Sequence, residues 1–313
     1  MISVVIPVYR SAAMLPELYA RLEKVMREVS PEFEVIFVED CGGDDSWETI
    51  KSLAAEHAPI RGFKMSRNYG QHNVLLCGIR EARGDLIITM DDDLQHPPEE
   101  LLKLLAKLDE GYDVVYGPPE REQHGMLRDL ASQITKVALQ GAMGAANARH
   151  VSALRVFRTE LRAAFADYRG PNVNIDVLLT WATTRFTAIK VRHEARKLGE
   201  SGYTPRKLLR HTLNMMTGFS TRPLQIASVI GFGFAFFGVA ILAYVLIRWM
   251  LQGSAVPGFA FLASMIAIFS GAQLLALGII GEYLARMHSR TMERPSYVIR
   301  DTLPAAGKAR FNS

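Results

Sequence analysis

Two cysteines in 313 residues, Cys41 and Cys77, are too few for a disulfide-stapled scaffold. Neither belongs to a Cys-x-x-Cys pair or lies near a histidine cluster, so a zinc framework is not expected either. Internal repeats and low-complexity tracts are absent, which excludes a solenoid or a linker-rich protein. The opening Met1-Ile-Ser-Val-Val-Ile6 has no basic leader and no small-residue cleavage site. No secretory signal is therefore expected, and the N-terminal half should remain in the cytosol. The most informative lack is of charge. Leu224 to Ile247 and Val256 to Gly281 contain no Asp, Glu, Lys or Arg. Each exceeds the roughly 20 residues that a helix rising 1.5 Å per residue needs to cross a hydrocarbon core. Both are expected to span a membrane.

The overall mean hydropathy of +0.08 averages these segments with a first half that reads as a soluble α/β domain. Net charge is only +4, yet cations gather beside the apolar stretches: Arg206, Lys207, Arg210 and Arg222 before them, Arg286, Arg290 and Arg294 after. The connection from Gln252 to Ala255 has none. Positive-inside counting puts both flanks in the cytoplasm and the hairpin tip outside. Arg248, the exception, is expected to snorkel to the outer headgroups. No aromatic-basic interleaving accompanies the cations, so nucleic acid is not an expected partner. From Pro205 to Phe219 cations alternate with Leu208, Leu209, Leu213, Met215 and Met216, the pattern of a helix lying on the bilayer.

Through the first 120 residues, short apolar runs alternate with helical periodicity. Ser3 to Tyr9, Phe33 to Val38, Ile60 to Met65, Asp85 to Met90 and Tyr112 to Tyr116 read as strands, and Thr187 to Val191 as a later one. Helices are expected after Arg10-Ser11, over Trp47 to Ala55, and from Gly70 to Ala82. This order predicts a mostly parallel, doubly wound sheet. Ligands bind such sheets beyond the carboxyl ends of the strands. The polar clusters Tyr9-Arg10, Glu39-Asp40, Arg67-Asn68 and Asp91-Asp92-Asp93 fall there, on one rim. Carboxylates at i and i+2 on a strand-end loop, as in Asp91 and Asp93, suit a hard cation that bridges to phosphates. Taken alone, the triplet equally suits a helix N-terminus ahead of Pro97-Pro98-Glu99-Glu100.

The ordered set Ser3-Val-Val-Ile-Pro-Val-Tyr9, Glu39-Asp40, Ser66-Arg67-Asn68-Tyr69-Gly70-Gln71-His72, Gly84-Asp85, Asp91-Asp92-Asp93-Leu94-Gln95-His96-Pro97-Pro98, Gly199-Glu200-Ser201 and Arg294-Pro295-Ser296-Tyr297 resembles family 2 glycosyltransferases, in particular those acting on polyprenyl phosphates. The likeness covers nearly the whole chain. It implies a GT-A fold, an α/β catalytic domain over 1–203, a juxtamembrane amphipathic helix over 204–222, two transmembrane helices within 223–285 (about 224–248 and 256–281), and a cytoplasmic tail over 286–313. The implied reaction is inverting transfer of one sugar from a nucleotide-sugar donor, uridine preferred over guanosine, to a polyprenyl phosphate acceptor such as undecaprenyl phosphate. The implied setting is the cytoplasmic face of a bacterial inner membrane, with both termini inside and a homo-oligomeric, tetrameric assembly.

By the same resemblance, Pro7, Tyr9, Glu39 and Asp40 match the base and ribose pocket, joined by Asn68. Asp91 and Asp93 match the metal and diphosphate site, for Mg2+ or Mn2+, with Asp92 and Gln95 adjoining. Arg128 and Ser132 match the pair that meets the acceptor phosphate, with Arg121 beside them. Glu39 stands where Asp is commoner, and Cys41 where Gly is. An Asp that several relatives carry before the Leu-Arg element is replaced here by Arg149-His150. Either no carboxylate base is needed, or Asp176 or Asp92 takes its place. The Gly-Glu-Ser motif is followed by Gly202-Tyr203 where relatives often have Lys-Tyr, so a phosphate-facing cation is expected from Arg196, Lys197 or Arg206 instead. Two other readings stay in view. A processive polysaccharide synthase would carry a Gln-x-x-Arg-Trp element, which the lone Arg248-Trp249 pair does not supply. A non-catalytic membrane scaffold would show no metal-dependent binding of a nucleoside diphosphate.

Overall fold

The computed structural model describes residues 1–120, 151–170, 173–194, 222–252 and 258–303. Two compact units divide the chain: Met1–Leu208 with Glu293–Ser313, and Leu209–Met292.

In the first unit, β1 (Ile2–Val8), β2 (Phe33–Glu39), β3 (Ile60–Met65), β4 (Leu86–Thr89), β5 (Val114–Tyr116), β6 (Arg155–Arg158), β7 (Phe186–Ala188) and β8 (Ile299–Leu303) form one sheet in the order β7-β5-β6-β4-β1-β2-β3-β8. Strands β3, β2, β1 and β4 run parallel. The crossovers between them carry α1 (Leu15–Val29), α2 (Ser46–Glu56) and α3 (Gln71–Glu81). Helices cover both faces, which is why β1 and β2 are buried along their whole length and are largely apolar, with Ser3, Glu34 and Glu39 the buried polar exceptions. Val4, Ile6 and Val8 point to the side of Leu15, Leu18 and Leu22 on α1, while Val5 points to Val74, Leu75 and Leu76 on α3. Gly78 lets α3 lie directly on β1, because a Cβ there would stand 2.3 Å from Val5 Cγ1.

Two strands depart from the sequence expectation and make the sheet mixed. β6 inserts antiparallel between β4 and β5. Its ends are arginines, so its apolar pattern is only two residues long, and Arg155 is buried because Asp176 pairs with it. β8 comes from the region expected as a cytoplasmic tail and pairs antiparallel with β3. It reads Ile-Arg-Asp-Thr-Leu, with Arg300, Asp301 and Thr302 exposed, the composition of a protected edge strand and not of a core strand.

At the end of the sheet where β1 and β2 begin, a buried polar cluster fastens the crossovers. Arg61 Nη1 donates to Glu34 Oε2 at 2.9 Å and to the Glu81 carbonyl at 2.7 Å. Ser3 Oγ and the Arg83 backbone N–H both donate to Glu34 Oε1.

The second unit contains α6 (Arg222–Gln252) and α7 (Phe259–Thr291); α4 (Leu101–Asp109) and α5 (Ile175–Ala182) are further helices of the first. At 31 and 33 residues, α6 and α7 are about 46 and 50 Å long, against a hydrocarbon core of about 30 Å. Among the described residues, the spans long and apolar enough to cross a membrane are Leu224–Arg248 and Ile268–Thr291, with mean hydropathy 2.4 and 1.5. Their apolar side chains are exposed all round, as in Phe232, Phe236, Leu246, Leu274 and Leu277. A helix apolar on every face belongs in lipid. Phe234 and Phe237 meet Phe269 across the pair, at ring separations of 5.6 and 6.5 Å. α7 continues ten residues past Gly281, where the run ends, because Glu282 and Arg286 pair one turn apart at 2.6 Å. The interfacial helix expected over 204–222 lies outside the described residues except for Arg222, which opens α6.

Candidate active site

The chain passes from β1 outward to β2 and β3, then returns to place β4 on the other side of β1. The crevice opened by that reversal is where doubly wound sheets hold ligands. A pocket of about 270 Å³ lies there, lined by Pro7, Val8 and Tyr9 after β1, Asp40 after β2, Asn68, Gly70, Gln71 and Val74 from the β3–α3 turn, and Asp91, Asp92 and Asp93 after β4. The rim expected from four separate strand exits is one site.

Asp40 and Asp92 are held by neutral donors. Asp40 accepts from the Tyr69 and Gly70 backbone N–H groups at 2.7 and 2.8 Å, so the second strand exit fixes the third. Burial pushes the Asp40 carboxyl above the ordinary range, against the pull of those two donors. Asp92 Oδ2 accepts from the Tyr9 N–H at 3.0 Å and from the Ser11 hydroxyl, joining the ends of β4 and β1. Burial raises its pKa to about 6. Asp91 Oδ1 accepts from Gln71 Nε2 at 2.6 Å, and Asp93 Oδ1 from the Gln95 backbone N–H at 3.1 Å. Gly70 has φ 89° and turns the chain into α3, whose first turn brings Gly70, Gln71 and Val74 to the pocket wall. The positive end of a helix favours an anion there.

Three non-glycine residues take left-handed backbone on the same rim: Arg10 (φ 58°), Cys41 (φ 54°) and Leu94 (φ 58°). Such conformations cost of order 1–3 kcal/mol each and gather where function sets the backbone. Tyr9 stands half-exposed at the mouth with the Arg10 guanidinium 5.3 Å from its ring centre.

The loop after the three aspartates is clamped from below. Glu194 N–H donates to the Gln95 carbonyl at 2.9 Å, Arg192 Nε reaches Glu100 Oε1 at 2.7 Å, and Arg21 bridges Glu99 and Glu194 at 2.8 and 3.3 Å. His96 packs edge-on against His193 at 5.1 Å, and burial holds its pKa down at about 4. It is therefore a neutral ring at pH 7. His72 Nδ1 accepts from the Ile175 N–H at 3.3 Å, a loop-fixing contact.

Of the residues singled out in the sequence, Pro7, Tyr9, Asp40, Asn68, Asp91, Asp92 and Asp93 line this pocket. Glu39 does not. It is 2% exposed and accepts from the Gly42 N–H at 2.7 Å, shaping the loop behind the wall. Gln95 sits under the acidic loop and acts through its backbone. Asp176 is also elsewhere, buried on α5 between Arg155 and the Tyr116 hydroxyl. That neutralised pair ties α5 to β5 and β6 and gives no support to Asp176 as a reacting carboxylate. Arg121, Arg128, Ser132, Arg149, His150, Arg196, Lys197 and Arg206 lie outside the described residues. The sequence reading assigned no part to Ser11, Gln71 or Val74. Gln71 had a signal, its place just after a helix-starting glycine; Ser11 had none, because only the fold brings it to Asp92.

Residues 3–153 match the model of glycosyl transferase family 2. An undecaprenyl-phosphate 4-deoxy-4-formamido-L-arabinose transferase of Pseudomonas savastanoi pv. phaseolicola is 34% identical over 310 residues, 98% of this chain and 92% of the relative. The protein of the same description from Pseudomonas paraeruginosa is 35% identical over 312 residues, 99% of this chain and 92% of the relative. Among solved structures, glucosyl-3-phosphoglycerate synthase from Mycobacterium tuberculosis in complex with Mn2+, uridine diphosphate and phosphoglyceric acid superposes with TM-score 0.53 at 14% identity, covering 69% of this chain and 76% of that one. That likeness extends to the GT-A fold alone. The two apolar helices, together with relatives that match over nearly their full length, make this a membrane protein and an enzyme. The chain belongs to glycosyl transferase family 2, among its polyprenyl-phosphate glycosyltransferases.

Proposed function

We propose that the protein transfers one sugar, with inversion, from a nucleotide-sugar to a polyprenyl phosphate at the cytoplasmic membrane face, with uridine preferred as the base. The observation that carries this reading is the convergence of Asp91, Asp92 and Asp93 with Pro7, Tyr9, Asp40 and Asn68 on one pocket at the sheet's reversal point. The relatives' names specify an undecaprenyl-phosphate acceptor for those proteins. That acceptor chemistry suits an enzyme whose second unit is two lipid-compatible helices.

A divalent cation, Mg2+ or Mn2+, fits this rim. Such ions take oxygen ligands and are commonly held by one or two carboxylates, with substrate phosphates completing the shell. In this reading the donor's diphosphate supplies the remaining oxygens. Asp91 and Asp93 would hold the ion. When bound, it neutralises the negative charge that develops on the departing diphosphate.

The chain's own residues supply the rest. Asp40 and Asn68 offer polar partners to the nucleoside, and the half-exposed Tyr9 ring offers it a flat face. The positive end of α3 favours anionic oxygens. The acceptor, a monoester phosphate with second pKa of about 6, is largely a dianion at neutral pH and attacks without a strong base. Arg128, Ser132, Arg121 and Arg206 are proposed to meet it. Cations on both flanks of the hairpin favour a cytoplasmic catalytic unit and termini. A homotetramer is proposed from the family resemblance alone.

The test uses full-length protein in detergent with undecaprenyl phosphate, Mg2+ or Mn2+, and a panel of uridine and guanosine diphospho-sugars, headed by the formamido-arabinose donor. A lipid-linked monosaccharide of inverted anomeric configuration is expected from a uridine donor. No lipid-linked sugar across the panel overturns the reading, and a polymeric product would restore the processive synthase.

A further inference from the structure

The motif Arg294-Pro295-Ser296-Tyr297 and the strand after it have no part in the chemistry above. Their contacts are nevertheless specific. Ser66 N–H, where β3 ends, donates to the Val298 carbonyl at 2.9 Å. Asn73, in the first turn of α3, donates through Nδ2 to the Ser296 carbonyl at 2.5 Å. Between these two points runs the turn Arg67–Gly70. It contributes Asn68 and Gly70 to the pocket, and the two N–H groups that hold Asp40. The C-terminal segment thus fastens the pocket's turn at both of its ends.

The segment is itself anchored. Ser296 is 4% exposed, and its hydroxyl donates to the Gly170 carbonyl at 2.8 Å. The Tyr297 ring packs under the Arg80 guanidinium, and Ile299 to Leu303 pair along β3. An edge strand needs only the last of these contacts to cover β3. The Val298 carbonyl extends that ladder by one rung past Met65, whereas the Ser296 carbonyl, spent on the Asn73 side chain at the far end of the turn, is additional to it.

We infer that Ser296–Leu303 is a positioning strap for the nucleotide pocket: by bracketing Arg67–Gly70 it sets where Asn68, Gly70 and, through the Tyr69 and Gly70 N–H groups, Asp40 stand. Asn73 and Ser296 are positioning residues and do not touch the donor. The strap follows α7, which ends at Thr291, so the chain leaving the membrane helices is the chain that orders the pocket's turn. This inference rests on the nucleotide-binding reading of the pocket.

Binding couplings are reciprocal: if strap order favours the nucleotide, the nucleotide favours strap order. Amide hydrogen exchange on the full-length wild-type protein, with and without Mn2+ plus uridine or guanosine diphosphate, reads this directly. Slower exchange is expected at Pro7–Tyr9 side segments and Asp91–Asp93, and also across Ser296–Leu303 and at Ser66. Protection confined to the pocket segments overturns the strap while leaving nucleotide binding intact. Protection nowhere, with either nucleotide, overturns the nucleotide reading and this inference together.

A variant sharpens the result. Asn73→Leu removes the donor to Ser296 and is expected to weaken uridine diphosphate binding about tenfold, the worth of one buried hydrogen bond. Thr302→Ala, on the exposed face of β8, should bind as wild type. Wild-type affinity in a folded but less heat-stable Asn73→Leu protein would mean an edge cover only.

Discussion

The two ends of the parallel sheet handle buried carboxylates in opposite ways. At the end where β1 and β2 start, Glu34 is 4% exposed and fully matched, by Arg61 at 2.9 Å, by Ser3 and by a backbone N–H. At the other end, the donors to Asp40 and Asp92 are backbone N–H groups and a hydroxyl, and among the described residues neither carboxylate has an ion pair. Burial raises the pKa of both. A cluster whose charge is balanced internally holds the fold together; one left negative is prepared for something positive that arrives with the ligand.

Breaking the balanced end should give the largest effect. Arg61→Ala leaves Glu34 buried without its cation and is expected to cost about 3–5 kcal/mol of stability, seen as a large drop in melting temperature. Turnover per folded molecule should hold well below the new melting point. At the rim the consequences reverse. Asp91→Ala should reduce sugar transfer by roughly 10²–10³-fold, the scale of losing one electrostatic element of transition-state stabilisation. Its melting temperature should change little, because Asp91 stands at the pocket rim outside the core and its described partner, Gln71, can turn to solvent. If Asp91→Ala unfolds the protein and Arg61→Ala does not, the contrast between the two ends is wrong.

Acid should act on the clamp beneath the rim. His96 has a native pKa of about 4 against an unfolded value near 6.5, so between those values the unfolded chain binds the extra proton. Stability contributed by the neutral ring is complete above pH 6.5 and is lost as pH falls toward 4, by about 2 kcal/mol at pH 5. Melting curves at pH 7 and pH 5 measure it, and His96→Phe should flatten the difference. The smallest effect is expected at Cys41, whose φ of 54° strains a residue with a Cβ. Cys41→Gly should raise stability by up to about 1 kcal/mol, less the chain entropy that glycine adds to the unfolded state.

Much of this was legible in the residues. The parallel strands are mostly apolar and bounded by polar turns, so their runs stand out despite Glu34, Arg61 and Lys64, and Ile60–Met65 matches its expected bounds. The rim was legible because polar clusters follow each run at once. β6 and β8 were not, since a strand of four or five residues flanked by arginines or carrying Arg-Asp-Thr has too little alternation to be distinguished from a loop. Glu39, Gln95 and Asp176 show the same limit within the site: residue type and motif position name a carboxylate or amide, but not the direction it faces. Asp176 turned inward because Arg155 and Tyr116, remote in sequence, required a partner in the core.

The two apolar helices, the doubly wound order and the acidic loop after β4 follow from the residues alone. Each depends on local composition and period, and water or lipid enforces these wherever the chain goes. It took the packed fold to select which carboxylates share a pocket, to set Ser11 and Gln71 against two of them, and to bring Ser296 and Val298 to the two ends of the pocket's turn. Those outcomes depend on hydrogen bonds between groups far apart in the chain, whose geometry exists only once the sheet has brought their strand ends together.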